Sequence, residues 1–148
     1  MPDATSGSPG QNLERPLRIL VADDHEVMRL GIRNLLQSVP NWSVYAEART
    51  GREAVDLALL SSPDIIIMDL TMPEMNGLEA AARIVMERPD IPIIMFSLHL
   101  SEGVVSRFKK GSIRGAVAKS EAARDLLEAV RAVIRGETFF PDRAPSAD

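Results

Sequence analysis

From Leu17 onward, short apolar runs alternate with stretches whose apolar residues recur every three or four positions. The run LRILVA over 17–22 is short, almost wholly apolar and closed by acids, the pattern of a buried strand. Val27, Leu30, Asn34, Leu35 and Val39 then recur at helical spacing until Pro40-Asn41 interrupts them. A second strand is predicted over 42–46. Thr50-x-x-Glu53 is a capping-box signature opening a helix through Leu60. After Ser61-Ser62-Pro63 comes DIIIM over 64–68, with β-branched residues on both faces and hence a central strand. Asn76-Gly77-Leu78-Glu79 starts a third helix that ends before Pro89. A strand over 91–96, a short helix from Ser101 to Lys110 stopped by Gly111, and a strand over 113–118 follow. Ser120 is expected to cap a last helix carrying Ala123, Leu126, Leu127, Val130 and Ile134 as one stripe, with Gly136 ending it.

Five strands alternating with five helices imply an α/β fold: a parallel sheet covered on both faces. Right-handed crossovers make it doubly wound. Residues 1–16, rich in Pro, Gly, Ser and Asp, are expected to be a flexible tail. Residues 17–137 form the domain, and 138–148 a second tail or the start of a linker.

Composition narrows the class without choosing a function. At 148 residues, 45% hydrophobic and 26% charged, the chain suits one globular domain. It has no cysteine, which excludes disulfides and thiolate metal sites and fits a reducing cytoplasm. Its longest strongly apolar run, Ile65-Ile66-Ile67-Met68, is far below the roughly 20 residues of a membrane helix. No basic segment precedes an apolar one, so a signal peptide is not expected. With 17 basic against 21 acidic residues, a net charge of −4, direct nucleic-acid binding by this chain is not expected.

Chemistry in an open α/β sheet gathers beyond the carboxyl ends of the strands. Those ends carry Asp23-Asp24, Asp69, Ser97 and Lys119. Carboxylates placed together repel unless a cation joins them, and oxygen ligands without Cys or His favour a hard ion, Mg²⁺ before Ca²⁺. Capping of the first helix is the plainer reading of Asp23-Asp24. An acid ending a buried strand, Asp69, tips the balance toward metal. The loop after strand one has two acids and no glycine-rich phosphate cradle, which excludes a preformed nucleotide site. It suits a phosphoryl group whose charge is offset by a metal and Lys119, and which a carboxylate attacks. His25 and His99 are not expected to ligate metal, and Ser97 with His99 lacks an orienting acid for a hydrolase. Met68, Met72, Met75, Met86 and Met95 read as packing, as do Trp42 and Tyr45, and Lys109-Lys110 as a solvated helix end.

The stretches ILVADDH over 19–25 and IIMDLTMPEMNG over 66–77, with Ser97 and Lys119-Ser120, resemble the receiver domain of bacterial two-component response regulators. Across about 17–140 the wording is most like receivers that precede a LuxR-type helix-turn-helix. The resemblance implies a flavodoxin-like sheet of order 2-1-3-4-5. It implies Asp69 as phosphoacceptor, and Mg²⁺ held by Asp24, Asp69 and the main-chain carbonyl of Thr71, with Asp23 acting through a water. It also implies Lys119 and Ser97 on the phosphoryl oxygens, and a sensor histidine kinase as donor. Such a chain is a signalling switch and not a turnover enzyme. A homodimer through the last helix, or through the helix 4–strand 5–helix 5 face, is the further partner expected. Two positions depart from the pattern: Ala116 stands where receivers commonly carry an aromatic, and Leu98 where many have a smaller residue. The alternatives are the regulatory half of a DNA-binding transcription factor and an Asp-nucleophile phosphohydrolase of the haloacid-dehalogenase type. The latter needs a second Asp two residues after the nucleophile, and position 71 is Thr. The start at Met1 and the polar ending PDRAPSAD favour a stand-alone receiver.

Overall fold

The computed structural model describes residues 15–141. Most of the N-terminal tail expected over 1–16, and 142–148 of the C-terminal one, lie outside them. The elements run β1 (Leu17–Ala22), α1 (Glu26–Leu36), β2 (Trp42–Ala48), α2 (Gly51–Ser61), β3 (Ile65–Asp69), α3 (Gly77–Glu87), β4 (Ile93–Ser97), α4 (Glu102–Lys110), β5 (Gly115–Ala118) and α5 (Ala122–Ile134). The sheet is parallel throughout, in the order β2-β1-β3-β4-β5. The α/β class, the five strands and five helices, and the 2-1-3-4-5 order thus agree with expectation.

Two apolar layers sandwich the sheet. One joins Leu20, Ile66, Met68 and Met95 to α2, α3 and α4 through Ala58, Ile84 and Phe108. The other joins Ile19, Ile67, Ile94 and Phe96 to α1 and α5 through Leu36, Leu126 and Val130. Every residue of β3 and β4 is buried, so both faces of these strands had to be apolar. Tight local chemistry sets the joints. Asn76 and Glu79 form a reciprocal capping box on α3, at 2.9 and 3.1 Å. On α2 the Thr50 hydroxyl accepts from the Glu53 N–H, while the Glu53 carboxylate reaches one residue further back, to the Arg49 N–H. Asn41 turns the chain into β2 at φ 71°, a left-handed conformation that asparagine tolerates.

The helix faces differ from the predicted stripes. On α1 the buried residues are Arg29, Ile32 and Leu36, while Val27 is 83% and Leu30 47% exposed. On α5 they are Leu126, Ala129, Val130, Ala132 and Val133, with Ala123 and Ile134 exposed. Ser120 caps no helix: it lies inside a 3₁₀ turn, Lys119–Glu121, and α5 begins after it. Met86, expected to pack, is 84% exposed. The C-terminal tail expected from 138 also starts too early. Phe139 bridges to β5, and both Phe139 and Phe140 pack against the apolar layers.

Candidate functional site

Strand register assembles the site. Ala22 pairs with Met68, Asp69 with Phe96, and Ser97 with Ala118, so Asp23, Asp69, Ser97 and Lys119 all emerge at the same sheet edge. Lys119 Nζ lies 2.9 Å from Asp23 Oδ2 and 3.2 Å from Asp69 Oδ2, and all three side chains are at most 5% exposed. The one ammonium thus pairs with both buried carboxylates at once. Asp69 Oδ1 accepts from the Thr71 main-chain N–H at 3.3 Å.

Asp23 is not a helix cap. Its Oδ1 accepts from the His25 main-chain N–H at 2.8 Å, and no side chain caps α1. The exposed His25 ring sits between the acids, with Nδ1 3.1 Å from Asp23 Oδ1 and 3.2 Å from Asp24 Oδ1. One ligand atom from each of Asp23, Asp24, His25 and Asp69 falls within 4.8 Å of the others. The set is dominated by oxygen, one ammonium is shared by its two buried carboxylates, and Asp24 opens to solvent. That donor set fits a hard divalent ion such as Mg²⁺.

Burial and the neighbouring Asp23 charge raise the Asp69 carboxyl above the ordinary aspartate range, although the Lys119 charge opposes them. Burial draws Lys119 down, but the Asp23 and Asp69 carboxylates outweigh it and hold the ammonium above the usual lysine range. The site thus confines two acids with one base, short of one positive charge. Ser97 is buried at the end of β4, where its hydroxyl donates to the His99 carbonyl at 3.2 Å, and Leu98 beside it is 67% exposed. Ala116 is fully buried on β5.

Two supporting residues were not apparent from spacing. The buried Arg29 guanidinium donates to the Asp23 carbonyl at 2.7 Å and to Glu47 Oε1 at 3.1 Å, and Arg33 binds the other Glu47 oxygen at 2.8 Å. This fixes the backbone from which the Asp23 carboxylate hangs. Gly77 lets α3 close on β3. Its N–H donates to the Leu70 carbonyl at 2.7 Å, and a Cβ there would lie 2.1 Å from the Asp69 carbonyl oxygen. Gly77→Ala is therefore expected to cost about 1–3 kcal/mol, the range for overpacking. A lowered urea midpoint checks this, and an unchanged one would contradict the close approach.

A groove lined by Arg15, Trp42, Asp64, Asp90, Arg114 and Ile134 among others opens at the amino ends of the strands, away from these groups. Among the described residues no helix is long and apolar enough to cross a membrane.

Comparison with known proteins agrees with this geometry. The transcriptional regulatory protein DegU of Brevibacillus brevis is 33% identical over 127 residues, covering 86% of this chain and 54% of DegU. A LuxR-family two-component response regulator from Aurantimonas sp. SI85-9A1 superposes with a TM-score of 0.81 at 32% identity, covering 84% of this chain and 89% of that one. The isolated receiver domain of RcsB from Salmonella enterica serovar Typhimurium, solved with phosphomimetic BeF3⁻, gives 0.79 at 25% identity, covering 86% and 95%. This chain spans 54–60% of the length of the first curated relatives it matches. Residues 19–131 match the sequence profile of the response regulator receiver domain, and the chain belongs to that family of two-component signalling domains.

Proposed function

We propose that the chain is a phosphorylation-controlled switch whose Asp69 accepts a phosphoryl group from a phosphohistidine on a sensor histidine kinase. The observation that carries this reading is the buried Asp69 carboxylate at the end of the central strand, 3.2 Å from the Lys119 ammonium that it shares with Asp23. An Asp69 oxygen attacks phosphorus in line, the donor P–N bond breaks, and the imidazole leaves with its electron pair and takes up a proton. Lys119 neutralises charge on the equatorial oxygens. Asp24, Asp69 and the Thr71 carbonyl are the ligands assigned to Mg²⁺, with Asp23 acting through a bound water. When bound, the ion supplies further charge neutralisation at the phosphoryl oxygens. Ser97 leaves the His99 carbonyl to donate to the phosphoryl group.

The product is a stoichiometric aspartyl-phosphate on a cytoplasmic protein. Thr71, in place of an acid, gives a phosphohydrolase no proton donor for a leaving group. A second statement concerns output: transcription control, after the transcriptional regulatory protein DegU, with a homodimer, after the RcsB dimers bound to DNA, formed by α5 or by the α4-β5-α5 face. Incubation with a small phosphodonor and Mg²⁺ is expected to add one phosphoryl group per chain by intact mass. Continuous consumption of the donor without an adduct would contradict the switch and favour the hydrolase. In Mg²⁺ titrations Asp24→Ala is expected to weaken binding about tenfold, which is about 1.4 kcal/mol. Unchanged affinity would move the metal away from these acids.

A further inference from the structure

The segment after α5 is tied to the edge of the sheet. The Phe139 N–H donates to the Arg114 carbonyl at 3.0 Å, and its own carbonyl accepts from the Ala116 N–H at 2.9 Å. Together they make a parallel bridge opposite Gly115. Successive residues of an extended segment face opposite sides of a sheet. Phe139 accordingly packs against the layer containing Val117, Val130 and Val133, and Phe140 against the layer containing Val105, Phe108 and Ala116. Lys109 of α4 brings its ammonium to 5.1 Å from the Phe140 ring centroid. Gly115 permits the approach, since a Cβ there would stand 3.1 Å from the Phe139 carbonyl oxygen.

We propose that Phe139–Phe140 is a strap that braces α4 and follows its displacement. Phe139 is the anchor, held to β5 by two main-chain hydrogen bonds. Phe140 is the moving aromatic, on the face where strand five itself offers only the Ala116 methyl. Ala116 has no side-chain torsion to turn, whereas the Phe140 ring lies against the layer that α4 helps to build. Bracing of α4 is independent of phosphorylation; the claim that the strap follows the acceptor's state rests on the reading of Asp69 above.

Hydrogen exchange on the full chain tests both parts. Without modification, Phe140→Ala is expected to speed exchange over 102–111 about five- to tenfold while β1 and β3 stay unchanged, and Phe140→Tyr to keep wild-type rates. Wild-type rates in Phe140→Ala would overturn the brace. With beryllofluoride and Mg²⁺, 97–111 and 139–140 of the wild type are expected to change together. A response over 97–111 with 139–140 silent would overturn the coupling. No response anywhere would overturn the Asp69 reading and the coupling with it, while the unmodified pair still decides the brace.

Discussion

Lys119→Ala is expected to destabilise the metal-free protein by about 3–5 kcal/mol, the cost of removing one partner from a buried ion pair. Lys119 is the only lysine or arginine within ion-pair distance of the Asp23 and Asp69 carboxylates among the described residues. Without it, two acids face each other away from water. The same variant is expected to slow phosphorylation by a small phosphodonor about 10²- to 10³-fold, as when one preorganised charge-stabilising group is lost from a reacting centre. Urea denaturation and the rate of adduct formation read the two effects separately. A variant as stable and as fast as wild type would mean that Lys119 is a bystander.

Asp69→Asn is expected to act in the opposite sense on stability. In metal-free buffer at neutral pH it should gain about 0.5–2 kcal/mol, as expected where a strained functional site is relieved. Lys119 keeps its closer partner, Asp23, and one buried negative charge disappears. The pH dependence follows from the raised Asp69 carboxyl. Between the ordinary aspartate range and its raised value, the folded state binds more protons than the unfolded state, so wild-type stability falls as pH rises through that window. Below the window the carboxyl is neutral in both states, and the advantage of the variant should vanish. Mg²⁺ should stabilise the wild type by about 2.7 kcal/mol at a hundred times its dissociation constant, but not Asp69→Asn. Parallel denaturation curves at acid and neutral pH, with chelator and with Mg²⁺, check each limb. Equal Mg²⁺ stabilisation of both proteins would remove Asp69 from the metal site.

The sheet was legible because its strands are buried on both faces: IIIMD and IIMFS admit few other readings, and their terminal acid and hydroxyl mark the reactive edge. Asp23, Asp24, Asp69 and Lys119 could be nominated from position alone, since parallel register brings strand ends together. Helix faces were less legible. On α1 a buried arginine lies off the stripe that periodicity predicts, because its partners, the Asp23 carbonyl and Glu47, come from other elements. Val27 and Leu30, which periodicity would bury, face outward in compensation. On α5 the small Ala129 and Ala132 join Leu126, Val130 and Val133 on the buried face, and the 3₁₀ turn at Lys119–Glu121 takes the place of the Ser120 cap. Gly77 and the Phe139–Phe140 strap depend on contacts across the fold, with Asp69 and with β5, and no local pattern announces them.

The position of the phosphoryl group decides whether Asp69 is the acceptor. The protein is treated with a small phosphodonor and Mg²⁺, the acyl phosphate is trapped by borohydride reduction, and the modified residue is read by peptide mass spectrometry, with Asp69→Asn in parallel. The account predicts modification at Asp69 alone and none in the variant. A phosphoryl group on another residue, or an adduct that persists undiminished in Asp69→Asn, would contradict it.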